Sequence, residues 1–149
     1  MTIQRQQELA ELMLDILPKA MQSIREEMRA GRGDHLTVPQ FRLLAAIKRD
    51  ISQVRDLGQH LGVSEAAISR MAEQLCQDKL VLKVQSRSDR REKKLKLTAK
   101  GESLYRTIRE SARQRLMDKV EDLANEEKIM AMQGLEIIKR CLKLQGKKE

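Results

Sequence analysis

Residues Leu61 to Leu97 read LGVSEAAISRMAEQLCQDKLVLKVQSRSDRREKKLKL, and the fold is decided in this stretch. Ile68, Met71, Ala72 and Leu75 recur at steps of three and four, the spacing that gathers side chains on one side of a helix. Ser64 stands where an N-cap is needed, and Gly62 marks a sharp turn just before it. The predicted helix runs from Ser64 to about Lys79 and leaves Glu65, Ala66, Ser69, Arg70 and Glu73 outward. Leu80 to Gln85 then reads as a strand, Ser86 to Glu92 as a polar turn, and Lys93 to Leu97 as a returning strand in which Leu95 and Leu97 alternate with Lys94 and Lys96.

Upstream, Val54 to Leu61 reads as a short helix burying Val54, Leu57 and Leu61. Two short helices joined by a Gly-bearing turn make a helix-turn-helix. An ordinary helical hairpin fits that local pattern equally well; the basic hairpin that follows is what turns it into a winged motif. Thr37 and Gln40 have capping-box spacing, which predicts a helix from Val38 to about Arg49 with Phe41, Leu44, Ala45 and Ile47 on its apolar side. Ala30 to Asp34 reads as a flexible break. Before it, Leu9, Leu12, Met13, Ile16, Leu17, Ala20, Ile24 and Met28 stripe a helix over Ile3 to Met28, with a bend expected at Pro18.

Downstream, Thr98 can cap a helix from Ala99 to about Leu123, and Asn125 a second from Glu126 to about Leu144. Leu104, Ile108, Ala112, Leu116, Val120 and Leu123 stripe the first, and Ile129, Met132, Leu135, Ile138, Cys141 and Leu142 the second. These stripes exceed what a small winged domain covers, so a homodimer is expected. The residues Gly146 to Glu149 are expected to fray. The fold class is therefore mainly α, a winged helix-turn-helix with a two-stranded β wing. The expected division is 1–33, an N-terminal dimerisation helix and linker; 34–98, the winged motif; and 99–149, the C-terminal dimerisation helices.

The 149 residues carry a net charge of +8. Lys83 to Lys100 holds eight Lys/Arg against two Asp/Glu, so three quarters of that excess sits at the hairpin. A polyanion is the natural partner for such a run, although charge runs often only solvate a strand face. Phe41 and Tyr105 are the aromatic residues of the chain. That excludes a site that stacks bases or sugars on rings, including most single-strand readers, and leaves duplex nucleic acid open. The apolar runs are too short to span a membrane and the N-terminus lacks a leader pattern, so a cytoplasmic location is expected. Cys76 and Cys141 form no CxxC. With only His35 and His60 beside them, neither a zinc cluster nor a disulfide framework is expected, and both thiols read as small apolar fillers. No Gly-rich phosphate loop, GxSxG or HExxH is present, so no catalysis and no cofactor are expected.

Three phrases together resemble the MarR family of bacterial transcriptional regulators: LTVPQFRLLAAI at Leu36 to Ile47, LGVSEAAISRMAEQL at Leu61 to Leu75, and SRSDRREKKLKLTAKG at Ser86 to Gly101. The segment LANEEKIMAMQGL at Leu123 to Leu135 is similar to the start of that family's last helix. The resemblance implies a homodimer whose first helix and last two helices form a shared dimerisation domain. It also implies binding to a short inverted repeat of double-stranded DNA, often relieved by a small ligand between the domains. Carried over residue by residue, it places Ser64, Ala66, Ala67, Ser69 and Arg70 on the recognition helix. Asp89 and Arg91 match a wing pair in which the acid steadies an arginine that enters the minor groove. Glu65 stands where many members have a basic or polar residue.

The leading expectation is thus a dimeric, sequence-specific regulator, a repressor released by a small ligand. Its DNA contacts are expected at Ser64, Glu65, Ala66, Ala67, Ser69 and Arg70 of the helix and at Arg87, Asp89, Arg90, Arg91 and Lys93 of the wing. Phosphate contacts supply affinity and salt dependence, whereas base edges supply choice. The alternative is a non-enzymatic helical adaptor that binds acidic partners through its basic face. A preference for one duplex over competitor polyanions separates the two.

Overall fold

The computed structural model describes residues 2–32, 36–85, 89, 91 and 93–144. In chain order they form α1 (Thr2–Arg32), α2 (Val38–Lys48), α3 (Val54–Leu61), α4 (Glu65–Gln77), β1 (Val81–Gln85), β2 (Lys93–Leu97), α5 (Ala99–Lys119) and α6 (Asn125–Cys141). The chain divides into two compact units after Arg113.

In the first unit, short-range chemistry sets the helix starts. The Thr37 hydroxyl accepts the Gln40 N–H at 3.3 Å while the Gln40 side-chain oxygen accepts the Thr37 N–H at 2.9 Å, so the expected capping box is closed. α3 ends at Gly62, whose φ of 71° lies in the left-handed region that a Cβ disfavours. Ser64 Oγ then accepts the Ala67 N–H at 3.1 Å and opens α4. Thr98 caps α5 by accepting the Gly101 N–H at 2.9 Å.

The strands β1 and β2 pair antiparallel, with Val81 opposite Leu97 and Gln85 opposite Lys93. A short piece before α3 adds to this hairpin: Ser52 O accepts the Leu95 N–H at 2.8 Å, and Gln53 bridges to Lys94. Against the sheet and helices sits the core, in which Leu43, Leu44, Leu57, Ile68, Leu75, Leu95 and Ile108 are fully buried. Each such side chain contributes about 1.5–3 kcal/mol by leaving water. α2 meets α5 through the stacked rings of Phe41 and Tyr105, 5.5 Å apart with planes 13° from parallel. The same pair of helices is joined by the Lys48 ammonium at 2.9 Å from the Glu102 carboxylate.

The second unit contains the end of α5, a turn and α6. The turn holds Val120 N–H on Met117 O at 3.1 Å and Leu123 N–H on Val120 O at 3.3 Å. Most large apolar residues of α6 are exposed on the single chain, Leu135 to 65% and Met132 to 60%, whereas Ile138 is half-buried. Among the described residues, no helix is long and apolar enough to cross a membrane.

The structure corrects several sequence-based expectations. α1 includes Ala30, Gly31 and Arg32, where the sequence predicts a flexible break. Gly31 serves close packing there: a Cβ on it would lie 3.1 Å from Ile108 O and from Ser111 on α5. Gly33 and Asp34 lie outside the described residues, as do His35 and Gly146 to Glu149. α5 ends at Lys119 and not Leu123, because the chain turns there. Asn125 is the first residue of α6, not its cap. Ala124 holds the cap position with ψ 155°, and the Glu127 carboxylate accepts its N–H at 2.8 Å. α6 ends at Cys141, short of Leu144, and Lys143 has a φ of 53°. Cys76 is half-buried beside the core, as a filler would be, but Cys141 is exposed on the single chain.

Gly101 is the sharpest steric demand in the first unit, since a Cβ there would lie 2.0 Å from the Leu80 carbonyl oxygen. Gly101→Ala should cost about 3 kcal/mol, because backbone must move to admit the methyl. Gly62→Ala, which strains φ without a clash, should cost about 1–2 kcal/mol. Urea midpoints of the two variants check the order; equal midpoints would contradict it.

Candidate nucleic-acid interface

The turn at Gly62 and the Ser64 cap fix where α4 begins, and burial of Ile68, Ala72 and Leu75 fixes its rotation. Ala66, Arg70, Glu73, Gln74 and Gln77 consequently share the exposed arc opposite that buried edge. Glu65 is exposed in the first turn. Ala67 and Ser69 lie on the two flanks of the arc and are half-buried, so the outward placement expected for Ser69 is only partly met. Gln74 and Gln77 were missed by the sequence reading. They follow Arg70 by four and seven positions, and extending the helical period from Arg70 would have found them.

This face can do three kinds of chemistry. Backbone N–H groups of the first turn and the positive end of the helix dipole favour a phosphate. The Arg70 guanidinium can pair with O6 and N7 of guanine, and the Gln74 and Gln77 amides have the donor and acceptor geometry for adenine. The Ala66 methyl can lie against a thymine methyl.

The wing is anchored to the same helix. Leu80 N–H donates to Leu75 O at 2.8 Å, and the Lys83 ammonium stands 3.8 Å from the Glu73 carboxylate. The Lys93 side chain at the start of β2 is exposed, as are Asp89 and Arg91 in the turn. The Asp89 carboxylate accepts the Arg91 backbone N–H at 2.9 Å. The acid therefore holds the main chain under Arg91. Arg87 and Arg90, the other two expected wing contacts, lie outside the described residues.

Elsewhere the surface offers less. An open concavity of about 580 Å³ between the α2–α3 connection and β2 is lined by Asp50, Asp56, Gln59, His60 and Lys94 among others. Its charges are mixed and it encloses little. Among the described residues, no group of three His, Cys, Asp or Glu could hold a metal ion. A clear electrostatic pairing sits on α5, where the Arg113 Nε–H donates to Glu110 at 2.8 Å. That hydrogen bond lowers the Glu110 carboxyl pKa and raises that of the guanidinium. Both groups are exposed, and the pair has no part in the α4 face.

Comparison with known proteins agrees with this geometry. The MarR family model matches residues 36–92, from the start of α2's cap to the wing. No curated protein matches the sequence. Among solved structures, Rv1404 from Mycobacterium tuberculosis is similar, with a TM-score of 0.79 at 22% identity over 94% of this chain and 97% of that one. A MepR mutant of S. aureus, bound to oligodeoxyribonucleotide, matches with a TM-score of 0.63 at 18% identity, covering 85% of this chain and 95% of that one. The PcaV transcriptional regulator of Streptomyces coelicolor, in complex with its natural ligand, matches with a TM-score of 0.58 at 20% identity over 87% and 90% of the two chains. At these identities the likenesses establish the fold. The winged helix-turn-helix of this chain is thus similar to that of the MarR family, and these solved structures share its fold through the flanking helices.

Proposed function

We propose that this protein is a homodimeric repressor that binds an inverted-repeat operator in double-stranded DNA and is released by a small ligand held between its domains. Regulators of this family bind DNA and are not enzymes. The observation that carries the reading is the exposed arc of α4, with Arg70 near its centre, tied through β1 to a hairpin rich in lysine and arginine. In this reading α4 enters the major groove, with Ser64, Glu65, Ala66, Ala67, Ser69 and Arg70 at the bases and flanking phosphates. Arg87, Asp89, Arg90, Arg91 and Lys93 serve the wing, whose arginines favour a narrow minor groove. The oligodeoxyribonucleotide bound to the MepR mutant and the ligand bound to PcaV support the two halves of the proposal by analogy of fold. The site of action is the cytoplasm.

Residues 1–33 and 99–149 are assigned to dimerisation, and 34–98 to DNA. Support comes from α1 and α6, whose exposed side chains include Ile3, Leu9, Leu12, Leu14, Ile16, Met21 and Ile24 on one and Ile129, Met132, Leu135 and Ile137 on the other. A monomer would leave these in water, and two-fold pairing of identical surfaces is the usual remedy.

Selection of bound duplexes from a random pool tests the reading and supplies the operator. Light scattering at micromolar concentration should report about twice the 17.2 kDa chain mass; a stable monomer with full affinity would contradict the dimer. On the selected operator, Arg91→Ala should weaken binding to every sequence and shallow the salt slope by about one unit. Arg70→Ala should instead relax preference at one position per half-site, at a cost of about 1–3 kcal/mol. Isotherms across a salt series on operator and scrambled duplex check both, and an adaptor would bind the two duplexes alike.

A further inference from the structure

Contacts of α1 with the winged core are found toward its C-terminal end, where Met28 packs on the core and Gly31 crosses α5. The crossing is close. A Cβ on Gly31 would lie 3.1 Å from the Ile108 carbonyl oxygen, from Ser111 Cβ and from Ser111 Oγ. Two of these atoms belong to a short, stiff side chain and the third to helix backbone, so added bulk must be met by moving one helix against the other. Upstream of the crossing α1 continues as one helix to Thr2 and exposes seven large apolar side chains.

A helix rises about 1.5 Å per residue, so roughly 43 Å of α1 extends beyond Gly31. A rotation of about 5° at the crossing therefore shifts the far end by roughly 4 Å. That is close to the rise of one base pair, about 3.4 Å. We propose that Gly31 and Ser111 are positioning residues: their small size fixes the angle between α1 and the winged unit, and so sets the half-site spacing that the dimer accepts. The proposal rests on the dimeric, DNA-binding reading above. Neither residue touches DNA in it; each acts through the separation of the two copies of α4.

The test uses the full chain and three duplexes carrying the selected half-sites at their native separation, one base pair closer and one base pair farther. Wild type should favour the native spacing. Gly31→Ala should change the ratio of affinities among the three duplexes by about fivefold or more, the scale of a single mismatched position. Light scattering should still report a dimer. Ser111→Val, which crowds the same contact from α5, should move the ratio as well, and adding Ser111→Gly to Gly31→Ala should return it toward wild type. An unchanged ratio, or equal weakening on all three duplexes, overturns the proposal while leaving the DNA-binding reading intact. Loss of cooperative folding in both single variants also overturns it, since a pivot must survive a changed angle. A wild-type protein that selects no duplex, or stays monomeric, fails the underlying reading instead.

Discussion

Everything that presents α4 and the wing passes through the few residues around Leu80. Its N–H is held by Leu75 O at 2.8 Å, and its carbonyl accepts the Thr98 N–H at 3.0 Å. The Thr98 hydroxyl donates to Lys79 O at 2.6 Å, and the Lys100 ammonium to Asp78 O at 3.0 Å. The end of α4, the start of β1, the end of β2 and the start of α5 are thus joined within one hydrogen-bonded knot. It closes because Gly101 has no side chain to keep the first turn of α5 away from Leu80. Satisfying so many backbone groups at one junction leaves the strands little freedom to pivot on the helix.

This knot separates two tasks. On one side, buried leucines and isoleucines hold α2, α3 and α4 at fixed rotations, so that polar residues face outward without needing partners in the core. On the other, the hairpin carries charge on strands whose inward residues, Val81 and Leu95, are anchored in that same core. The surface ion pairs, such as Glu73 with Lys83, contribute little to stability at their exposure. They leave the hairpin electrically positive, which suits a surface meant to meet a polyanion.

Features that depend on neighbours three or four positions away were legible in the sequence: the Thr37 box, the Ser64 and Thr98 caps, the turn at Gly62 and the buried edge of α4. Features that depend on which element arrives from elsewhere were not. Gly31 looks like a helix breaker until α5 is brought against it. Gly101 looks like a weak start to a helix until Leu80 is placed. Ser52 and Gln53 are too few to show a strand period, so their pairing with β2 left no trace. The α6 stripe is legible as apolar from its spacing, yet Cys141 within it is exposed on the single chain. Asn125 was read as a cap by residue preference, whereas Glu127 reaches back to Ala124 instead. On α4, Ser69 falls at the flank of the exposed arc, where a fraction of a turn decides between contact with solvent and contact with the protein.

The stacked pair of Phe41 and Tyr105 gives the molecule an unusual optical character. With no tryptophan and one tyrosine in the chain, its near-ultraviolet dichroism originates almost wholly from one ring pair. That pair sits where α2 meets α5, so the signal reports the packing of a single junction and is silent about the rest of the fold.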